Sequence, residues 1–202
     1  MLLSGTRTRR HYSDLVANPV ELAVVVASVR PERIGPAVAD WLMRMVAERS
    51  DFTVTKIDLL DYRLSSDLSP SAGSAAFAAS IGSSDAVVVV TPEYNHGYPG
   101  SLKNAFDSVK YEWRGKPIGF VSYGGLSGGM RATEQLRQVA AELHMVSVRD
   151  SVAVHRVRRA FDEAGNISDG AVVDSAARML DQLQWWATAA KNLQATRSYP
   201  GQ

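Results

Sequence analysis

Ala86-Val87-Val88-Val89-Val90-Thr91-Pro92-Glu93-Tyr94-Asn95-His96-Gly97-Tyr98-Pro99-Gly100-Ser101-Leu102-Lys103-Asn104-Ala105-Phe106-Asp107 is the stretch on which the fold turns. It opens on five apolar residues, four of them valine. That is the composition of a strand covered on both faces rather than one with a wet side. The chain then becomes polar and stiff, with Pro92, Gly97 and Pro99 restricting it. It closes on Leu102, Ala105 and Phe106, which with Val109 just beyond are spaced as one face of a helix. Strand, rigid loop and helix in that order make most of a βαβ unit, and a strand apolar on both faces needs helices above and below it.

The same alternation continues on either side. Leu22–Ala27 holds three consecutive valines and reads as a first buried strand, followed by a polar turn at Ser28–Arg33. Val38, Trp41, Leu42 and Met45 mark a helix, with Pro36 in its first turn. Phe52–Ile57 predicts a second strand, Leu59–Gly73 a loop and Ala75–Ile81 a short helix. Ile118–Ser122 predicts a fourth strand before a Gly-rich turn, and Leu136, Val139, Ala140 and Leu143 a further helix. Val146–Val154 holds a fifth strand or a strand pair, Asp162–Gly170 a turn region, and Val173, Ala176, Leu180, Leu183 and Ala187 the last helix. Five buried strands alternating with five helices predict an α/β fold: a doubly wound, five-stranded parallel sheet with helices on both faces. Two strand orders are common for such a sheet, and both bind ligands at the loops beyond the carboxyl ends of the strands.

Composition narrows the function classes. Hydrophobic residues make up 46% and charged residues 21% of 202, enough to bury a core, and the net charge of +1 gives no general field for nucleic acid. The absence of Cys excludes disulfides, thiol catalysis and thiolate metal centres, and is compatible with a cytoplasmic location. His11, His96, His144 and His155 lack metal-ligand spacing, so no metal is expected. Ala86–Val90, the longest apolar run, is too short to span a bilayer. Residues 1–19 read as a flexible extension, 20–194 as the one domain and 195–202 as a tail.

Three loops carry the candidate chemistry. After the first strand, Ser28-Val29-Arg30-Pro31-Glu32-Arg33-Ile34-Gly35 offers a hydroxyl, two guanidinium groups and a helix N-terminus, a set suited to a phosphate dianion. It matches neither GxGxxG nor GxxxxGK[ST]. The alternative is a solvated turn whose two Arg pair with surface acids. After the third strand, Tyr94, His96 and Tyr98 offer flat surfaces and Asn95 a hydrogen-bonding edge, as a planar heterocycle requires; the alternative is an ordinary strand-to-helix connection. After the fourth, Ser122-Tyr123-Gly124-Gly125-Leu126-Ser127-Gly128-Gly129 lets backbone approach a ligand closely or simply marks a flexible turn.

Together these motifs resemble the NADPH-dependent FMN reductase family, from roughly Glu21 to Leu193. Ser28 to Gly35 resembles its phosphate loop, Thr91 to Asp107 its flavin-loop signature, and Ser122 to Gly125 the loop after its fourth strand. The resemblance implies a flavodoxin-like sheet, bound FMN, and electron transfer from NADPH or NADH to a flavin, quinone, azo or similar small-molecule acceptor. It implies a phosphate role for Ser28, Arg30 and Arg33, with Ile34 and Gly35 completing that turn. It places the flavin edge on Pro92, Glu93, Tyr94 and Asn95, and a second flavin-facing loop on Tyr123, Gly124 and Gly125. Ala27 stands where the family commonly has Gly. No catalytic side chain is expected, because the flavin carries the chemistry; backbone N–H groups near Tyr94–Asn95 and Gly124–Gly125 are candidates for stabilising charge on it. The resemblance further implies a homodimer or homotetramer. Aromatic residues are enriched at interface cores, so the Tyr98–Trp113 region, with Tyr111, is the expected contact.

Other readings remain open. The domain could be a flavodoxin-like electron carrier, or a flavin reductase supplying reduced FMN to a monooxygenase. Gly125-Leu126-Ser127-Gly128-Gly129 also matches the G-x-S-x-G nucleophile elbow, with Asp150 and His155 downstream. Those two are close together in one strand-like segment, poorly placed to form a relay with Ser127. Trp185 and Trp186 read as core or interface rather than as a nucleotide platform.

Overall fold

The computed structural model describes residues 18–200. The extension expected at residues 1–19 therefore lies outside the described residues as far as residue 17. The element order is β1 (Val20–Val26), α1 (Gly35–Ala47), β2 (Phe52–Asp58), α2 (Leu59–Tyr62), α3 (Ala72–Gly82), β3 (Ala86–Pro92), α4 (Gly100–Ser108), β4 (Pro117–Tyr123), α5 (Met130–Glu142), β5 (Val146–Ser147), β6 (Val152–Val154) and α6 (Gly170–Gln194). All pairings are parallel, in the order β2-β1-β3-β4-β5, with β6 also on β4.

This is the flavodoxin-like order. β1 sits between β2 and β3, so the chain leaves it first to one side and then to the other, which opens a crevice between the loops after β1 and β3. Period-two alternation sorts the central strands into two cores. Leu22, Val24, Val26, Val88 and Val90 face α1 and α6 with Trp41, Leu42, Met179 and Leu183. Ala23, Val25, Val87, Val89 and Phe120 face the other layer with Phe77, Ile81, Phe106 and Leu136.

Three expectations need correction. β2 is an edge strand with a wet side rather than a buried one: Phe52 and Ile57 are buried, while Thr53, Thr55 and Lys56 are exposed. The loop predicted over Leu59–Gly73 contains α2, started by Asp58, whose carboxylate accepts from the Leu60 N–H at 3.1 Å. Trp113 is 1% exposed and packs edge-on against Phe77 and Phe106, with its indole N–H donating to the Val109 carbonyl at 3.1 Å. Its area is spent within its own subunit, which removes it from the expected interface. The predicted strand pair over Val146–Val154 is present as β5 and β6 on one edge of β4.

Candidate functional site at the carboxyl ends of the strands

Ser28 follows β1 and is buried, its hydroxyl 2.8 Å from the Tyr94 hydroxyl. Tyr94 comes from the loop after β3, so this contact closes the crevice at its base. α1 begins at Gly35 with no side-chain cap, which leaves the Gly35 and Ala37 N–H groups of its first turn without a side-chain acceptor; Pro36 between them has none to offer. Tyr123, at the end of β4, reaches across to the start of α1, so that a β-carbon on Gly35 would stand 2.8 Å from its hydroxyl oxygen. Glycine is required there for that approach. The Tyr123 hydroxyl is buried and has no hydrogen-bond partner among the described residues. Burial first, and Tyr94 beside it, push its phenol pKa upward, so it stays a proton donor.

The two arginines part company. Arg33 makes a two-point ion pair with Asp58, at 2.5 and 2.7 Å, and donates to the Ser28 carbonyl at 2.6 Å. It thereby fixes the loop to the end of β2. The alternative in which loop arginines pair with acids is correct for Arg33. Arg30 has no carboxylate partner among the described residues; its guanidinium lies 5.3 Å from the Tyr94 ring centroid.

In the loop after β3, Tyr94 and Gly97 exchange backbone hydrogen bonds at 2.8 and 3.0 Å, with Asn95 and His96 at φ 51° and 72° between them. Two positive φ values are what a tight primed turn demands. The Ser101 hydroxyl donates to the Ala27 carbonyl at 2.7 Å and ties α4 to the end of β1. Glu93 turns away from the crevice. Its carboxylate, 4% exposed, accepts from Arg131 Nε at 2.6 Å and from the Arg131 backbone N–H at 3.2 Å. Arg131 in turn contacts His96 Nε2 at 2.7 Å.

The Gly-rich loop after β4 folds back on its strand. The Ser122 hydroxyl donates to the Gly128 carbonyl at 2.9 Å, and a β-carbon at Gly129, φ 89°, would stand 2.6 Å from Ser122 Cβ. The Tyr94 N–H is spent on Gly97 and the Gly124 N–H on Val154, at 3.2 Å. That narrows the charge-stabilising candidates to the Asn95 and Gly125 N–H groups, which donate to nothing among the described residues. Pro92 ends β3 buried beside Tyr123. Ile34 caps α1 with its backbone alone and packs on the core.

The hydrolase constellation does not assemble. His155 does reach the Ser127 loop, contrary to its sequence spacing, but its Nδ1 is spent on the Leu126 carbonyl at 2.8 Å. Asp150 is held by the Gln182 amide, and Ser127 accepts from the Gly129 N–H at 3.3 Å. Among the described residues no cluster of His, Asp and Glu could hold a metal, and no helix is long and apolar enough to cross a membrane.

Asp58, Ser101 and Arg131 were not singled out from sequence. Ser101 lies within the decisive stretch, and Asp58 closes a strand at the ligand-binding end, a signal that was available. An arginine in the first turn of a helix gives none. An apolar cavity of about 410 Å³, lined by Trp186, Leu193 and Tyr199, opens at the amino ends of β4 and β5 instead. The polar convergence, the uncapped helix and the left-handed backbone at Glu32, Asn95 and His96 all lie at the carboxyl ends, where open α/β sheets bind ligands.

The chain is similar to known proteins along most of its length. The family model described as NADPH-dependent FMN reductase matches residues 20–158. An NAD(P)H-dependent FMN reductase of Schizosaccharomyces pombe is 39% identical over 136 residues, 62% of this chain and 68% of that one. A quinone reductase of Pseudomonas putida is 35% identical over 158 residues, 73% of this chain and 84% of that one. A flavoenzyme NAD(P)H:(acceptor) oxidoreductase from Paracoccus denitrificans superposes with a TM-score of 0.69 at 23% identity, over 85% of this chain and 98% of the other, a likeness of fold.

Proposed function

The chain belongs to the NADPH-dependent FMN reductase family, and from that premise we propose that its three carboxyl-end loops seat one FMN. The protein is an oxidoreductase of the NAD(P)H-dependent FMN reductase and quinone reductase type. FMN, when bound, supplies the two-electron hydride chemistry between NAD(P)H and the acceptor.

The observation that carries the residue assignment is the buried, partnerless Tyr123 hydroxyl. With Ser28, Tyr94 and the uncapped start of α1 it leaves polar donors converging on one point. A buried donor without an acceptor is costly, and a phosphate oxygen relieves it. Arg30 adds the free charge, while Arg33 positions the loop through Asp58. Pro92, Tyr94 and Asn95 line one side of the ring site and Gly124 and Gly125 the other. The Asn95 and Gly125 N–H groups stand ready to hold negative charge. Glu93 acts through Arg131 and the start of α5, fixing the loop rather than touching the ring. The assembly we propose is a homodimer or homotetramer with exposed Tyr111 and half-buried Tyr98 in reach of a partner.

Mixing FMN-loaded protein with NADPH without oxygen is expected to bleach its yellow absorbance, and a quinone to restore it. Protein that holds FMN but stays yellow is a carrier, and the reductase reading falls.

A further inference from the structure

We infer that Arg158 and Arg159, with Arg156, form a recognition site for the 2′-phosphate of NADPH and make this chain prefer NADPH to NADH. The inference rests on the reductase reading above.

The segment following β6 is fastened to the ring site. Gly124 N–H donates to the Val154 carbonyl at 3.2 Å, Arg156 N–H to the Gly125 carbonyl at 2.8 Å and Val157 N–H to the Gly124 carbonyl at 3.2 Å. His155 adds its bond to the Leu126 carbonyl at 2.8 Å. Arg156 holds φ 46°, a left-handed backbone that a non-glycine residue adopts only when its surroundings impose it. The next three residues, Val157–Arg159, form a short 3₁₀ turn in which Val157 is buried and both arginines stay exposed. The turn thus anchors by its valine and offers its guanidinium groups outward.

None of these three arginines has a carboxylate partner among the described residues. Several arginines elsewhere do have one, Arg33 with Asp58, Arg49 with Asp51 and Asp181, Arg131 with Glu93 and Arg149 with Asp150, while Arg30 in the phosphate loop shares their lack of one. The nearest acids in sequence leave them free. Asp162 accepts from the Asn166 N–H at 2.7 Å within its own turn, and Glu163 lies beyond it with no ion pair to an arginine. Three unneutralised guanidinium groups within four residues repel one another, and a dianion that accepts from more than one relieves that repulsion.

Position selects the anion. Along the sheet the order runs β1, β3, β4, β6. The phosphate cradle follows β1, the ring loops follow β3 and β4, and the arginines follow β6. With neighbouring strands about 4.8 Å apart, the arginines stand roughly 10 Å from β3, on the side away from the cradle. A dinucleotide whose nicotinamide stacks over the ring loops carries its adenosine end away from that ring. The 2′-phosphate is the dianion that separates NADPH from NADH, which has only a hydroxyl there.

The test compares FMN-loaded wild type with the Arg158→Ala/Arg159→Ala double variant, leaving Arg156 to hold its turn. Titration calorimetry with adenosine 2′,5′-bisphosphate and with 5′-AMP reads the site without turnover. Wild type is expected to bind the bisphosphate at least tenfold more tightly, and the variant to lose that margin while keeping its 5′-AMP affinity. In steady state the KM for NADPH is expected to rise about tenfold, with less than a twofold change for NADH. Equal wild-type affinity for the two probes, or equal losses for both in the variant, overturns the inference. Failure of both dinucleotides to bleach the flavin overturns the reductase reading instead, while the calorimetric margin still decides the arginine site.

Discussion

Tyr123 meets two opposed demands, and one substitution separates them. Its hydroxyl is buried with no partner among the described residues, so in flavin-free protein it carries a desolvation cost of about 1–3 kcal/mol. Tyr123→Phe is therefore expected to stabilise the flavin-free protein by about 1 kcal/mol, or raise Tm by about 2–4 °C, and at the same time to weaken FMN binding about tenfold. Calorimetric melting and fluorescence titration with FMN read the two effects separately. A variant less stable than wild type with undiminished FMN affinity would remove Tyr123 from the cradle. At this scale the sequence was legible where the group and its neighbours are local. Ser28, Arg30, Gly35, Tyr94 and Asn95 all lie in loops whose composition announced them. Tyr123 was read with Gly124 and Gly125, yet its ring runs to α1, a relation set by packing between β4 and α1 that leaves no periodic trace. The Arg33–Asp58 pair, 25 residues apart, is hidden for the same reason.

The β3 loop and α5 act as one unit through Glu93 and Arg131, and pH reads their coupling. Burial of Glu93 raises its pKa, but the Arg131 and Ser127 contacts outweigh it, leaving the carboxyl below the ordinary glutamate value. A pKa depressed in the folded state contributes stability above the unfolded value, lost as pH falls through the folded one. In urea denaturation Glu93→Gln is expected to be less stable than wild type at neutral pH, the gap closing below about pH 4.3, the unfolded glutamate value. A gap constant into acid would show that the charge of Glu93 does not hold the loop. β4 and α6 meet more closely than side chains allow: a β-carbon at Gly119 would stand 2.9 Å from Met179 Sδ and 3.1 Å from Leu183 Cδ1. Gly119→Val is expected to cost about 1–3 kcal/mol by overpacking, and Gly119→Ala less, because Met179 is flexible. Urea midpoints in both variants check the order. The long elements were legible because period two and period 3.6 persist over several turns. α2, four residues long, has no period to show and depends on its Asp58 cap.

For the molecule as a whole, the alternation of apolar runs announced a doubly wound sheet, and the crevice follows from β1 lying between β2 and β3. What no run could announce is which aromatics remain on the surface. Trp113 is core, while Trp185 and Trp186, read as core or interface, are 56% and 42% exposed on α6. The crevice also couples ligand binding to global stability. Its base joins the ends of β1, β3 and β4 to the start of α1, so a ligand held there binds the folded chain and has no counterpart site in the unfolded one. Such a ligand at a hundredfold excess over its Kd stabilises by about 2.7 kcal/mol. For a chain of this size that is a rise in Tm of roughly 5–10 °C. Riboflavin presents the same ring and ribityl chain without the phosphate. It leaves the Ser28, Tyr94 and Tyr123 hydroxyls and the first turn of α1 without an anion, so its shift at the same free concentration should be much smaller. Arg30→Ala should shrink the FMN shift and leave the riboflavin shift unchanged, because in the proposed cradle only the phosphate meets that guanidinium. Melting curves of flavin-free protein with each flavin decide the matter. Equal shifts from the two flavins would place the phosphate outside the cradle, and an Arg30→Ala loss shared by both would make Arg30 a support of the Tyr94 ring rather than a phosphate ligand.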